Sequence, residues 1–234
     1  MYSRYMYYWD PTYILLIIGA IIAMAASARM KSVFAKYSRI ASASGLTGEE
    51  TALRVLRAAG ITDVTVRPVA GNLTDHYDPR TKTVNLSETV FHQRSIAALG
   101  VAAHECGHAM QHAQGYAPLD LRAKLVPAAN IGSQLAWPVF LIGLIVSRPA
   151  LTTAGIVLFS AAVLFQLVTL PVEFNASRRA LAMLENTGIL GHEENSRARE
   201  VLTAAALTYV AALASSVLQL LRLVLLSGGR RRDD

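Results

Sequence analysis

The sequence predicts a mainly α-helical membrane protein in which about four transmembrane helices carry a small folded domain with a short β-sheet. Three observations predict it. Of 234 residues, 53% are hydrophobic and only 16% charged, too apolar for an ordinary soluble domain of this length. Four apolar runs approach or reach bilayer length. Between the first and second of them, residues 29–127 supply about the 100 residues that a small domain needs.

Residues 1–28 read as an N-terminal anchor. "YILLIIGAIIAMAASA" at 13–28 follows Tyr7, Tyr8 and Trp9, which favour the headgroup level, and precedes Arg29, Lys31, Lys36 and Arg39. Positive charge after the run favours an uncleaved helix with its amino terminus outside. Residues 29–127 form the folded domain. In "TGEETALRVLRAAG", Thr47 as N-cap, Glu50 three residues on and Gly60 as a stop predict a helix. "TDVTVRPV" alternates like a strand, and Asp78 and Pro79 make a turn before "KTVNL", residues 82–86, read as an edge strand. Ser87, or a neighbour, caps a helix running on through "VAAHECGHAMQH". Residues 128–171 form a helical hairpin, since the runs 131–146 and 151–170 are separated only by "SRPA", with Arg148 and Pro149 at the tip. Residues 172–202 return to the side that the hairpin left, and 203–234 hold the last apolar helix and a basic tail. Its run, 203–221, is long enough to span. Gln219, Arg222 and Arg230 to Arg232 would then lie outside, against the positive-inside bias.

The net charge of +6 comes from basic residues flanking apolar runs, with no stripe of interleaved aromatics, so nucleic acid is not an expected partner. The single cysteine, Cys106, excludes an intramolecular disulfide and a Cys-rich structural metal site.

The chemistry lies in HECGH. On a helix His104 and His108 stand about 40° apart, so both imidazoles can reach one ion at about 2.0–2.1 Å. Glu105 sits beside that face, placed to take a proton from a water that a zinc ion activates. Cys106 falls on the opposite side and reads as a small buried residue. The motif alone arises by chance on the order of once per hundred chains of this length and composition. A third ligand is therefore needed. Gln111 and Gln114 stand where the extended metzincin motif has Gly and His, so the third ligand comes from farther away; the best candidate is Glu173, an acid emerging from the third apolar run in "LPVEFNASRRA", whose alternative role is an interfacial ion pair with Arg178 or Arg179. The hairpin brings Glu173 back to the side of HECGH. Arg29, Lys31, Lys36, Arg39, Arg122, Lys124, Arg178 and Arg179 border that side and assign it to the cytoplasm.

With "DHYDPRTKTVNLS", "AAHECGHAMQHA" and "LPVEFNASRRAL" together, the chain resembles the YugP-like family of bacterial membrane zinc metallopeptidases over nearly its whole length. The resemblance implies one zinc ion on His104, His108 and Glu173, Glu105 as the catalytic acid, and a multi-pass protein of the bacterial inner membrane. More distantly the layout is similar to the HtpX-type gluzincins, which implies a zincin-like catalytic domain. Those proteins carry Asp four residues after the ligand Glu; here Ser177 stands there, with Asn175 between. Asn175, Ser177, Arg178, Gln111 and His112 are candidates for orienting the ligands or contacting substrate. Tyr116, Arg178, His192 and Tyr209 are candidates for an oxyanion partner. The expected function is that of a membrane-embedded zinc metalloendopeptidase cutting peptide or membrane-protein substrates at the cytoplasmic face, with strand 82–86 offered as an edge for a substrate strand. The alternative is a non-catalytic zinc-binding membrane adaptor, which would not need Glu105.

Overall fold

The computed structural model describes residues 10–229. Its elements run α1 (Tyr13–Tyr37), α2 (Gly48–Ala58), β1 (Thr65–Val69), β2 (His76–Asp78), β3 (Thr83–Ser87), α3 (Glu88–Phe91), α4 (Ile96–Ala113), α5 (Ala117–Ile145), α6 (Pro149–Asn186) and α7 (His192–Gly229). Tyr7, Tyr8, Trp9 and Arg230 to Arg232 lie outside the described residues.

Four helices, α1, α5, α6 and α7, are long and apolar enough to cross a membrane. Each exceeds the apolar run that announced it. Hydrophobicity marks how much of a helix suits lipid, but nothing in the flanking polar sequence stops the helix from continuing. Pro127 and Pro138 lie inside α5 and Pro171 inside α6, so the expected boundaries at 127/128 and 171/172 fall within unbroken helices. Proline is tolerated in such helices when neighbours satisfy the freed carbonyls. The consequence is mechanical: α5 and α6 extend out of the hairpin as rigid arms into the folded domain. At the tip they are joined through Val146 to Arg148, with Ser147 in the left-handed region at φ +53.

The hairpin tip, the start of α1 and the end of α7 share one end of the bundle. There Arg222, buried in α7, lies 3.6 Å from Asp10 and 4.6 Å from the Tyr13 ring centroid. An arginine in an apolar helix is costly unless paired, and this one is paired.

At the other end sits the small domain. The capping box of α2 forms as its sequence predicts: Thr47 Oγ1 accepts from the Glu50 amide at 3.1 Å, and Glu50 accepts from the Thr47 amide at 2.8 Å. Gly60, at φ +72, ends the helix. The sheet has the order β1-β3-β2, with β1 parallel and β2 antiparallel to β3. This corrects the reading of residues 82–86 as an edge strand. Both sides of β3 are paired, and Val84 and Leu86 are fully buried. The true edge over the site is β2, three residues that are too short to announce themselves by alternation. Ser87 is not the cap of the HECGH helix either: its amide and hydroxyl bind Asp75, while Ser95 Oγ caps α4 through the Ala98 amide.

Helix α4 is the axis of the domain core. Ile96, Leu99, Ala102, Cys106 and Ala109 pack with Val55 and Leu56 of α2, Leu86 of β3 and Leu184 of α6. Its small residues let its neighbours come close. At Gly107 an added Cβ would lie 2.5 Å from the Ala176 carbonyl oxygen, so the glycine is what allows α4 and α6 to touch.

Candidate active site

Three side chains converge where α4 meets α6. Glu173 Oε2 lies 3.3 Å from His104 Nε2 and 3.7 Å from His108 Nε2. The imidazole rings stand nearly perpendicular, 4.8 Å between centroids. Tetrahedral ligands at about 2.0–2.1 Å from zinc are about 3.4 Å from one another, so the spacing of the three donors fits one ion. Two histidines and a carboxylate are also a donor set suited to catalytic zinc. Helix α4 provides the two histidines because they are four residues apart, one above the other. The arm of α6 provides the carboxylate because Gly107 lets its backbone approach.

Each histidine is held through its other ring nitrogen. Ser177 Oγ lies 3.1 Å from His104 Nδ1, and Gln111 Oε1 lies 3.0 Å from His108 Nδ1. The buried Gln111 amide donates in turn to the Val172 carbonyl at 2.8 Å and to Asn175 Oδ1 at 3.0 Å. Asn175 also accepts from Arg179 Nε at 2.7 Å. A hydroxyl and an amide thus occupy the places beside the imidazoles, and both fix ring orientation by direct hydrogen bonds.

Glu173 is almost fully buried, and its Oε1 accepts a hydrogen bond from Arg122 Nη1 at 3.0 Å. One carboxylate oxygen therefore faces the histidines and the other faces a guanidinium. Sequence reasoning counted Arg122 only among the charges that set topology. Its position relative to Glu173 follows from α5 starting at Ala117, well before the apolar run. Burial alone pushes the His108 imidazole toward neutrality, but Glu173 and Glu105 more than offset this and lift it above the usual histidine value. An ion binding there competes with a proton.

Glu105 and Tyr209 line a cavity of about 380 Å³ together with the three clustered side chains. His112 lines it too, with Tyr77 Oη 2.8 Å from its Nδ1, a contact that ties β2 to α4. The other expected residues lie elsewhere. Arg178 is exposed and lines a separate groove with Leu181 and Arg199. His192 is exposed beside Glu185, and Tyr116 lies under the Arg179 guanidinium. Of the four oxyanion candidates, Tyr209 is the one in the cavity wall. Cys106 is fully buried on the opposite side of α4, with its Sγ 3.5 Å from the Ala52 carbonyl, and burial pushes its thiol pKa up.

A family model described as "Putative neutral zinc metallopeptidase" matches residues 12–228. The chain is 49% identical over 215 residues to "Putative membrane protease YugP" of Bacillus subtilis (strain 168), an alignment covering 92% of this chain and 96% of that protein. No solved structure matches it. A match that begins at the anchor and ends near the close of α7 takes in every element of the cluster, and the chain belongs to the neutral zinc metallopeptidase family.

Proposed function

We propose that the protein is a membrane-embedded zinc metalloendopeptidase in which His104, His108 and Glu173 hold the ion and Glu105 is the general base. The observation that carries this reading is the single carboxylate oxygen of Glu173 at ligand spacing from both histidines, with Glu105 lining the same cavity. A zinc ion held by these residues supplies Lewis acidity, polarising a peptide carbonyl and bringing water to a pKa near 7. Glu105 takes the proton from the attacking water and passes it to the leaving amine. Tyr209 is the donor placed to meet the charge that develops on the carbonyl oxygen. Ser177 and Gln111 keep the imidazoles aimed, and Arg122 engages the Glu173 oxygen turned away from the histidines. The free edge of β2, whose His76 and Tyr77 line the cavity, takes over the role first given to residues 82–86: an extended substrate adds there as a further strand.

The site faces the cytoplasm in this reading. Arg29, Lys31, Lys36, Arg39, Arg122 and Lys124 cluster at the domain end of the bundle, whereas Arg222 at the far end is neutralised by Asp10. Substrates are peptides or membrane proteins that present a segment at that face.

The test is zinc content and casein cleavage of the detergent-purified protein. Wild type holds about one zinc per chain; His108→Ala and Glu173→Ala lose it; Glu105→Gln keeps zinc and loses cleavage. Zinc retained by Glu173→Ala overturns the ligand set, and cleavage retained by Glu105→Gln overturns the general base.

A further inference from the structure

The clustered groups stand where two cavities meet. Asp75, His104, Glu105, Glu173 and Tyr209 belong to the walls of both. On one side lies the larger cavity, with His76, His112, Asp120 and Arg122 along its wall. On the other lies a recess of about 140 Å³ between α1, α4, α7 and the loop that precedes β2, walled by Met30, Leu73, Val101, Leu202, Ala205 and Ala206.

Two of the polar groups in the recess wall are already engaged. Ser177 Oγ is on His104, and Asp75 holds the Ser87 amide at 2.7 Å and its hydroxyl at 2.9 Å. A charged side chain entering there would exchange its hydration for a wall that is mainly aliphatic. An apolar one would fill it. A closed apolar cavity of about 150 Å³ accommodates a benzene molecule, so this recess has room for one leucine- to phenylalanine-sized side chain.

Leu73 adds a second observation. It stands at φ +56, a left-handed conformation that disfavours any residue with a Cβ, and its side chain is half-exposed at the recess mouth. Such strain persists where the surroundings hold it, commonly at ligand clamps. Here it keeps an apolar wall over the side of the site that faces α1.

Resting on the peptidase reading above, we infer that the recess is a specificity subsite: it takes the apolar side chain of a substrate residue flanking the scissile bond, while the chain beyond that bond runs into the larger cavity. The protein therefore cuts internal bonds beside medium-sized apolar residues such as Val, Leu, Met or Phe.

The test uses the zinc-loaded full chain in detergent and a set of end-blocked peptides that differ at one position, Gly, Ala, Leu, Phe, Lys or Asp, with cleavage sites read by mass spectrometry. Wild type cuts beside Leu at least about tenfold more efficiently in kcat/KM than beside Lys or Asp, the scale that an apolar pocket supplies. Ala205→Leu, which fills the recess, lowers kcat/KM for the Leu peptide about tenfold and leaves the Ala peptide within about twofold. Leu73→Ala, at a half-exposed loop position that carries little of the fold, shifts preference from Leu toward Phe. Zinc content in each variant reports an intact site. Binding of the uncleaved peptides to Glu105→Gln, with and without Ala205→Leu, reads the same preference without turnover. Equal cleavage of Leu and Lys peptides, or an unchanged profile in both variants, overturns the subsite and leaves the peptidase standing. Zinc-loaded protein that cuts no peptide overturns the peptidase reading itself, and the subsite with it.

Discussion

At the scale of single residues, the proposed zinc site separates groups that would meet the ion from groups that hold them. Ser177 and Gln111 each bind one imidazole at the nitrogen turned away from Glu173. Losing such a partner costs about 10–100-fold in metal affinity while the ligand itself remains. Ser177→Ala and Gln111→Leu are expected to weaken zinc binding by at least about tenfold, measured by competition with a chromophoric chelator; unchanged affinity in both would mean that packing alone orients the rings. Arg122 calls for a different measurement. It neutralises Glu173 from the side away from the histidines, and a zinc ion held as proposed would neutralise the same carboxylate from the other side. Removing one partner of a buried pair leaves an uncompensated charge. Arg122→Met is therefore expected to lower Tm more in chelator-treated protein than in zinc-loaded protein, and equal losses in both states would sink that account. That His104 and His108 lie side by side was legible in the sequence because H-E-x-x-H fixes its own geometry on a helix. Arg122 was not, because its relation to Glu173 depends on where α5 begins, which no local signal marks.

At the scale of elements, the decisive contact is α4 against α6. Any glycine weakens a helix, and only packing tells the two glycines of α4, Gly100 and Gly107, apart. A Cβ at Gly107 would meet the Ala176 carbonyl oxygen at 2.5 Å, whereas one at Gly100 would meet the Ala198 Cβ at 3.5 Å, an ordinary contact. Gly107→Ala must push α6 away or bend it, moving Glu173 off the histidines. Its expected cost is about 1–3 kcal/mol of stability together with loss of zinc. Gly100→Ala is expected to keep zinc and to be neutral or stabilising by up to about 1 kcal/mol, since it replaces the poorer helix former. Thermal unfolding and zinc content of the two variants, side by side, check this; equal zinc retention in both would show that the close approach does not position Glu173. The same limit explains the misreading of the sheet. "TVNLS" is buried at four of its five positions, which is what a central strand shows, but its partner β2 is three residues long and carries no period to detect.

At the scale of the whole molecule, the helices must alternate in direction. The starts of α1 and α6 and the ends of α5 and α7 gather around the tip and Arg222, while the cluster of His104, His108 and Glu173 lies at the opposite end. Hydropathy made four crossings legible, but not the arms by which α5 and α6 reach into the domain, because lipid-facing and domain-facing turns of one helix differ in partner and not in backbone. Which end faces the cytoplasm is a question that the chain's own chemistry makes easy to ask. Its one cysteine, Cys106, is buried with its thiol pKa raised, so it gives little background with a maleimide that reacts through the thiolate. Cysteines introduced singly at Ser147, in the hairpin tip, and at Ser44, in the loop between α1 and α2, can be labelled in intact cells with a membrane-impermeant maleimide. A cytoplasmic site requires Ser147→Cys to react from outside and Ser44→Cys to react only after lysis. The reverse pattern would place the site outside the cytoplasm and leave the basic residues around the domain to be explained by contact with anionic lipid. Reaction of both positions from outside would mean that one of the four apolar helices does not cross.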